Sequence, residues 1–245
     1  MERIAVAGHK GGAGKTTVAV NLAGALVAAG RRVLLVDVDP QGAAGASLGL
    51  VPAKPTVYEV LTGRASLGEA ARPSGIDGLD VLAADLDLAG GEVELPRRAG
   101  WQTALRDRLA DEAGPYDVAV IDTPPGLGVL PYLALIAANR VLVVCPPDFL
   151  GIRALPTVME AASRAGVELI GIVPNAVEHR TRHEADALEI LQEEHGAVVL
   201  TEIPRRVVVR DAAAAGRPVS QYAPSSEVAA AFAHLAMEVN GALTP

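Results

Sequence analysis

The residues best suited to chemistry lie in a glycine-rich loop that carries two lysines. Residues 8–17 read Gly-His-Lys-Gly-Gly-Ala-Gly-Lys-Thr-Thr, and they follow a short apolar run and precede a segment of helical length. A strand, a glycine-rich loop and a helix in this order cradle phosphates, because glycines let backbone N–H groups approach the ligand and the helix N-terminus adds positive potential. We therefore expect Lys15 to reach the β- and γ-phosphates of a nucleotide and the Thr16 hydroxyl to coordinate magnesium.

Acidic residues follow two other apolar runs. Residues 33–36 lead into Asp37 and Asp39, whose spacing would place both carboxylates on one side if the strand continues. Residues 118–121 lead into Asp122, a pattern typical of the carboxylate that holds a magnesium-bound water. Each pattern is weak by itself, but beside the phosphate loop they indicate a magnesium-dependent nucleotide hydrolase.

The elements that must position these residues are short apolar runs separated by segments of helical length. The runs are continuous in Val, Ile and Leu, which is typical of parallel strands buried between two helical layers. Strands are predicted at residues 4–7, 33–36, 79–82, 118–121, 141–144, 169–173 and 198–200. Helices are predicted at residues 16–29, 101–113, 131–138, 152–165, 185–195 and 225–239. The alternation predicts one α/β domain over residues 1–245, with a doubly wound, mostly parallel sheet, helices on both faces and a ligand at the carboxyl ends of the strands.

The composition excludes several classes of protein. Half of the 245 residues are apolar and the formal net charge is −8, so the chain can build a core and is not disordered. Cys145 is the only cysteine, which excludes an internal disulfide and a cysteine-based metal cluster. Seven aromatic residues are few for a platform that stacks single-stranded nucleic acid. The absence of a signal-peptide pattern and of an unbroken apolar span predicts a cytoplasmic protein.

Lys10 distinguishes this loop from the ordinary phosphate-loop pattern. Residues 10–17 resemble the deviant Walker A motif, Lys-Gly-Gly-x-Gly-Lys-Thr-Thr, of the ParA/MinD ATPases, and residues 79–95 and 116–127 resemble the chromosomal, Soj-like branch of ParA. The resemblance implies a P-loop fold, ATP and Mg²⁺ as ligands, and a nucleotide-dependent homodimer in which Lys10 reaches the nucleotide of the other subunit. It implies nucleotide contacts along the whole loop, from Lys10, Gly11, Gly12, Ala13, Gly14, Lys15, Thr16 and Thr17.

The resemblance also assigns roles outside the loop. It places Asp37 in the magnesium shell, and it gives Asp39 the task of orienting the attacking water. It implies that Asn175 contacts adenine and that Pro204 closes over the base, whereas the residues alone leave open that both are ordinary turn residues. ATP is expected instead of GTP because of the family, and no Asn-Lys-x-Asp run that would specify guanine occurs in the sequence.

The resemblance also implies contact with DNA, because ParA dimers bind DNA without sequence preference through basic side chains. Arg180 lies in an Arg-Thr element similar to one in the family, and a basic island near the C-terminus contains Arg205, Arg206 and Arg210. Where the family has a second DNA-contacting arginine, this chain has Val208. The alternative is that these arginines only form surface ion pairs, which contribute about 0–1 kcal/mol each.

Together these features predict a ParA-type ATPase whose ATP-bound dimer associates with the nucleoid and moves a chromosome or plasmid with a ParB-like centromere-binding partner. One alternative keeps the ATPase but changes the cargo to a protein assembly or the division site. A second is a metabolic P-loop ligase related to the dethiobiotin or cobyrinate synthetases. MinD-like attachment to membrane is not expected, because residues 229–239 contain no Lys or Arg and mostly small apolar side chains.

Overall fold

The protein is an eight-stranded sheet with helices on both faces. A computed structural model describes residues 1–243 of the chain. The strands lie in the spatial order β3-β4-β2-β5-β1-β6-β7-β8. Their bounds are β1 (Glu2–Ala7), β2 (Val33–Asp37), β3 (Arg72–Ile76), β4 (Leu79–Leu82), β5 (Val118–Asp122), β6 (Arg140–Cys145), β7 (Glu168–Val177) and β8 (Ile203–Pro204).

All neighbouring strands are parallel except β3, which pairs antiparallel with β4 at the edge of the sheet. β1 lies between β5 and β6, so the loop that follows it emerges at the middle of the carboxyl edge. The prediction of a doubly wound, mostly parallel sheet is confirmed. The sequence analysis missed β3 because this edge strand contains Pro73 and Gly75 and is largely exposed, so it has no apolar run to reveal it.

The connections between the strands are helical. The longer helices are α1 (Lys15–Ala28), α5 (Asp87–Glu94), α6 (Ala104–Asp111), α7 (Val129–Ala137), α8 (Phe149–Arg164), α9 (Arg182–His195), α10 (Val207–Ala214) and α12 (Glu227–Leu243). The short ones are α2 (Ala43–Ala46), α3 (Val57–Leu61), α4 (Leu67–Ala70) and α11 (Val219–Tyr222), with 3₁₀ turns at Leu95–Arg97, Trp101–Thr103 and Gly196–Val198.

Alternate residues of each buried strand enter two separate cores. On β2, Val33 and Leu35 pack in the core under α1 and α12, whereas Leu34 and Val36 pack in the core under α6, α7 and α8. This two-sided burial explains why the strands read as continuous apolar runs. Within residues 1–243, no helix is both long and apolar enough to cross a bilayer. Several apolar side chains of α12, among them Phe232 and Leu235, are buried in the core that α1 shares.

The strand predicted at residues 198–200 is wrong. This stretch ends a 3₁₀ turn, and only Val199 forms an isolated bridge, with Ile172 of β7. The N–H group of Leu200 donates to the carbonyl of Ile172 at 2.8 Å, after which the chain runs on to pair as β8 at Ile203. An apolar run of three residues is too short to distinguish a strand from a chain that merely packs on the sheet edge.

Candidate functional site

The phosphate loop joins β1 to α1 at the centre of the carboxyl edge. Gly12 and Gly14 have φ values of 77° and 90°, in the left-handed region that favours glycine. No side chain caps the first turn of α1, so the N–H groups that have no acceptor within the helix are available to an anion. Gly14 also lies against β7, because a Cβ atom there would come within 2.1 Å of the Asn175 amide nitrogen.

Lys15 supplies a buried cation to this loop. Its side chain is among the few buried charged groups, and its ammonium donates a 3.4 Å hydrogen bond to the carbonyl of Lys10. Burial lowers the pKa of Lys15, while the negative charges of Asp122 and Asp39 oppose that change. Lys15 forms no ion pair within the described part of the chain. The ammonium is therefore available to a phosphate group.

Asp37 and Asp122 end neighbouring strands at the same level of the sheet, in register with each other on β2 and β5. Asp37 is completely buried, and its Oδ1 and Oδ2 accept hydrogen bonds from the N–H groups of Asp39 and Ala44, each at 3.0 Å. Burial raises the pKa of Asp37 to about 6, although these backbone donors oppose the rise. Asp37 thus fixes the turn that follows β2.

Asp122 is equally buried, but neither of its carboxylate oxygens has a hydrogen-bond partner among residues 1–243. Burial and the charge of Asp37 raise the pKa of Asp122 well above its usual value, against smaller opposite effects of the Thr16 hydroxyl and Lys15. A buried carboxylate without partners fits a hydrated cation. The described residues contain no cluster of three or more His, Cys, Asp or Glu side chains for a metal. Mg²⁺ here would therefore take most of its ligands from phosphate and water, as this ion commonly does.

The strand on which Asp37 and Asp39 would share one side does not continue past Asp37. β2 ends at Asp37, and Asp39 lies in a turn in which its Oδ1 accepts a 3.0 Å hydrogen bond from the N–H group of Gln41. Gly42, with a φ of 64°, closes this turn against the carbonyl of Ala84. The Oδ2 of Asp39 accepts no hydrogen bond within the described residues. Asp39 as a residue is only half-buried, so this oxygen can accept one from a water molecule.

The loop after β5 is tied to the phosphate loop by two hydrogen bonds. The Thr123 hydroxyl donates to the carbonyl of Val6 at 2.8 Å, and the N–H group of Gly126 donates to the carbonyl of His9 at 3.2 Å. Sequence reasoning gave His9 no role, and a backbone contact carries no signal in the side chain. A ligand that moved the Pro-Pro-Gly segment would therefore disturb the phosphate loop as well.

Lys10 lies at the exposed rim of the site. Its ammonium forms an ion pair with Oδ2 of Asp148 at 2.9 Å, and the two side chains are 44% and 45% exposed. Sequence reasoning missed Asp148. Asp148 lies directly before helix α8, where aspartate is favoured as an N-cap, and this position could have indicated part of its role.

A cavity of about 600 Å³ opens between the phosphate loop and the ends of β7 and β8. Asn175 and Pro204 both line it, so the two residues predicted at the base lie together beside Gly14 and Thr17. The predicted strand ended before Asn175, but β7 extends to Val177, so Asn175 lies within the strand. Its amide nitrogen donates to the carbonyl of Ala13 at 2.8 Å, which leaves Oδ1 as the acceptor of this side chain.

Three of the arginines predicted to contact DNA line the same cavity, namely Arg205, Arg206 and Arg210. Arg206 pairs with Glu227 at 2.8 Å. Arg210 is exposed and has no acidic partner within residues 1–243.

Arg180 lies outside this wall and is 80% exposed. Both Arg180 and Arg205 pair with Glu178, at 3.8 and 3.3 Å. Val208 is half-buried and packs against the core under α1, whereas the nearby Arg210 is exposed to solvent.

Two family models match the chain. The model described as "AAA domain" matches residues 1–167. The model described as "4Fe-4S iron sulfur cluster binding proteins, NifH/frxC family" matches residues 132–244. A 4Fe–4S cluster takes four cysteine thiolates, whereas this chain has only Cys145, which is buried. One thiol in each chain does not supply that set of ligands.

Several relatives align with nearly the whole chain. The chromosome partitioning protein ParA of Caulobacter vibrioides is 38% identical over 96% of this chain and 92% of its own length. The chromosome-partitioning ATPase Soj of Thermus thermophilus is 41% identical over 98% and 95%. A crystal structure titled as cobyrinic acid a,c-diamide synthase from Mycobacterium smegmatis, with a bound ATP analogue and magnesium, is 34% identical, with a TM-score of 0.81 over 97% of this chain and 93% of that one. With its phosphate loop, its paired buried carboxylates and these near-complete alignments, the chain belongs to the ParA/Soj family of chromosome-partitioning P-loop ATPases.

Proposed function

We propose that this protein hydrolyses ATP with Mg²⁺, forms a nucleotide-dependent homodimer, binds double-stranded DNA without sequence preference and partitions a chromosome or plasmid with a ParB-like partner. The observation that carries the proposal is the separation of the two loop lysines. Lys15 is buried beside Asp122, whereas Lys10 is exposed at the rim of the same loop. One lysine is placed to hold phosphates within the subunit, and the other is accessible to a second subunit.

The site can perform hydrolysis with few groups. The N–H groups at the start of α1 and the ammonium of Lys15 hold the phosphates. Thr16 and the unpartnered carboxylate of Asp122 would hold Mg²⁺, which neutralises the charge that develops on the phosphate oxygens. Asp39 orients the attacking water through its free Oδ2, and the hydrogen bond from Asp39 to Asp37 holds this turn in place.

The cavity beside the loop suits an adenine base. Asn175 is held by its bond to Ala13, so the acceptor Oδ1 is presented by a fixed side chain. An acceptor matches the amino group of adenine and repels the carbonyl oxygen that guanine carries at the same position. This arrangement supports ATP over GTP.

DNA binding is supported by Arg210 in the first place, because it is exposed and forms no ion pair within the described residues. Arg180, Arg205 and Arg206 can exchange their carboxylate partners for phosphates, since these ion pairs are exposed and weak. A dimer doubles the number of phosphates neutralised, and affinity rises steeply with that number.

The proposal is tested with the Asp39→Ala variant, which we expect to bind ATP without hydrolysing it. In a gel shift with random duplex DNA at low salt, this variant should retain DNA with ATP and not with ADP. Loss of retention with ATP would contradict the partition function. If the unmodified protein hydrolysed ATP but bound no DNA, positioning of a protein assembly or of the division site would replace partition as the proposed function. Val208, which stands where the family has a DNA-contacting arginine, is in line with that alternative.

The metabolic alternative is favoured by one observation, the 34% identity to the structure titled as cobyrinic acid a,c-diamide synthase. A ligase couples ATP cleavage to a second substrate, so ADP production would require an added carboxylate and amine. A partition ATPase hydrolyses ATP without them. Measuring ADP release from ATP alone, with and without duplex DNA, separates the two functions.

A further inference from the structure

The exposed lysine of the phosphate loop is held by a residue from the opposite half of the sequence. Asp148 follows β6 and is the N-cap of α8. Its Oδ1 accepts a hydrogen bond from the N–H group of Gly151 at 2.8 Å, and its Oδ2 accepts one from the ammonium of Lys10 at 2.9 Å. The two carboxylate oxygens therefore do different things: one begins a helix and the other restrains Lys10.

We propose that Asp148 is a positioning residue that holds Lys10 back in its own subunit, and that this Lys10–Asp148 pair must open before Lys10 can reach a nucleotide bound to a second copy of the chain. The inference rests on the proposed function, in which Lys10 crosses to the other subunit. It adds a threshold to that step: a second subunit must offer an anion that attracts the ammonium more strongly than Asp148 does.

The place where Lys10 is held is unfavourable for a cation. The ammonium lies beside the N-terminus of α8, where the helix dipole repels positive charge, so Asp148 is what keeps it there. Neither side chain is deeply buried, and exposed ion pairs shift an equilibrium by up to about fivefold. A triphosphate carries several negative charges and out-competes one carboxylate, so the pair weakens dimerisation without preventing it.

The surroundings of the pair are suited to contact with protein. Phe149 and Leu150, the two residues after Asp148, are 70% and 60% exposed. Leu127, in the loop after β5, is 46% exposed at the same carboxyl edge of the sheet. A second subunit that drew Lys10 away from Asp148 would cover apolar side chains at this edge. The charge of Lys10 and the phosphates of a nucleotide are complementary, which identifies the occupant as another nucleotide-bound copy of the chain.

The first test examines Lys10 in the free protein. The chain has only three lysines, Lys10, Lys15 and Lys54, so [ε-¹³C]lysine labelling gives three resolvable NMR signals, and Lys10→Arg assigns one of them. Asp148→Asn keeps an N-cap acceptor but removes the charge. We expect the Lys10 signal to shift in this variant and the Lys54 signal to stay. An unchanged Lys10 signal would show that the pair does not form in solution and would overturn the proposal.

The second test measures dimerisation with ATP by sedimentation, in an Asp39→Ala background that prevents turnover. Two Lys10–Asp148 pairs open for each dimer, so their effects multiply, and Asp148→Asn should lower the dimer Kd by up to about 25-fold. Asp148→Ser, which also caps a helix, should change it in the same direction. The matched control is Glu160→Gln, which removes an exposed ion pair with Arg164 on the same helix and should leave the Kd unchanged.

The outcomes separate this proposal from the proposed function. If Lys10→Ala dimerises as well as the parent protein, the crossing of Lys10 to the other subunit is wrong. If Lys10→Ala fails to dimerise but Asp148→Asn dimerises no more tightly than the parent, the function stands and the restraint by Asp148 is overturned. Raising the salt concentration screens the pair. The difference between Asp148→Asn and the parent should therefore shrink as salt increases.

Discussion

Asp37 and Asp122 face each other across neighbouring strands, in register on β2 and β5, and both side chains are completely buried. Two carboxylates in such proximity repel each other and are costly to ionise without a cation. Backbone donors satisfy Asp37, whereas neither oxygen of Asp122 has a hydrogen-bond partner within residues 1–243, and the Thr16 hydroxyl and Lys15 only partly offset the rise of its pKa. The free protein therefore gives up stability at this point to keep a carboxylate ready for a ligand.

The first prediction is that Asp122→Asn stabilises the nucleotide-free protein and abolishes magnesium-dependent ATP hydrolysis. Removing a buried charge relieves both its desolvation and its repulsion by Asp37. We expect a melting temperature at pH 8 about 2–4 °C above that of the parent, the shift that ~1 kcal/mol produces in a chain of this size. Thermal melts with and without Mg-ATP measure it. Asp111→Asn, at an exposed position, is the control and should not change the melting temperature. A melting temperature below that of the parent would contradict the prediction.

The second prediction concerns pH. Burial raises the pKa of Asp37 to about 6 from an ordinary value of 3.8. The folded protein therefore binds a proton that the unfolded chain has already released, and this group's contribution to stability declines as the pH rises from about 4 to 6. Urea unfolding of nucleotide-free protein across this range should show the decline as a difference between the parent and Asp37→Asn. An identical pH dependence in both proteins would show that Asp37 titrates normally.

The third prediction is that the single thiol is unreactive in the folded protein. Cys145 is 1% exposed at the end of β6, and burial raises the pKa of its thiol to about 12. At pH 8 the reactive thiolate is therefore scarce, as well as inaccessible. Ellman's reagent should titrate one thiol in urea and almost none in buffer. Rapid modification of the native protein would mean that the segment before Asp148 opens readily.

The sequence was sufficient for the central part of the fold and insufficient at its edges. The runs that end at Asp37 and Asp122 were recognisable because strands buried on both faces contain only apolar residues. β3 and β8 were missed because an edge strand lacks such a run. Among the site residues, the phosphate loop is local and could be read directly. The turn that holds Asp39 required knowing where β2 ends.

Long-range contacts explain the rest of what was missed. Lys10 and Asp148 are 138 positions apart, and their pairing depends on β1 and β6 being neighbours in the sheet. The arginines of residues 205–210 were predicted as a DNA surface, and only the structure shows that they also form a wall of the cavity beside the phosphate loop. No local pattern distinguishes these two situations, because both require exposed arginines.

The fourth prediction separates two glycines. A Cβ at Gly14 would collide with the Asn175 amide at 2.1 Å, and the φ of 90° disfavours alanine in any case. Gly14→Ala should therefore break the hydrogen bond from Asn175 to Ala13 and abolish ATP binding. Gly90→Ala is the matched control, because a Cβ within this helix meets nothing within 4 Å and should stabilise the protein by about 0.5–1 kcal/mol. Equilibrium binding of a fluorescent ATP analogue and urea unfolding measure the two effects, and normal ATP binding by Gly14→Ala would contradict the geometry.

The fifth prediction distinguishes the arginines by their partners. Arg210 forms no ion pair within the described residues, whereas Arg205 must first leave Glu178. Arg210→Ala should therefore weaken DNA binding by the ATP-bound dimer more than Arg205→Ala does. It should also reduce the slope of log affinity against log salt by about 2, one phosphate contact for each subunit. Because both residues line the cavity beside the phosphate loop, ATP affinity must be measured in parallel. A loss of ATP binding equal to the loss of DNA binding would place Arg210 at the nucleotide instead of at DNA.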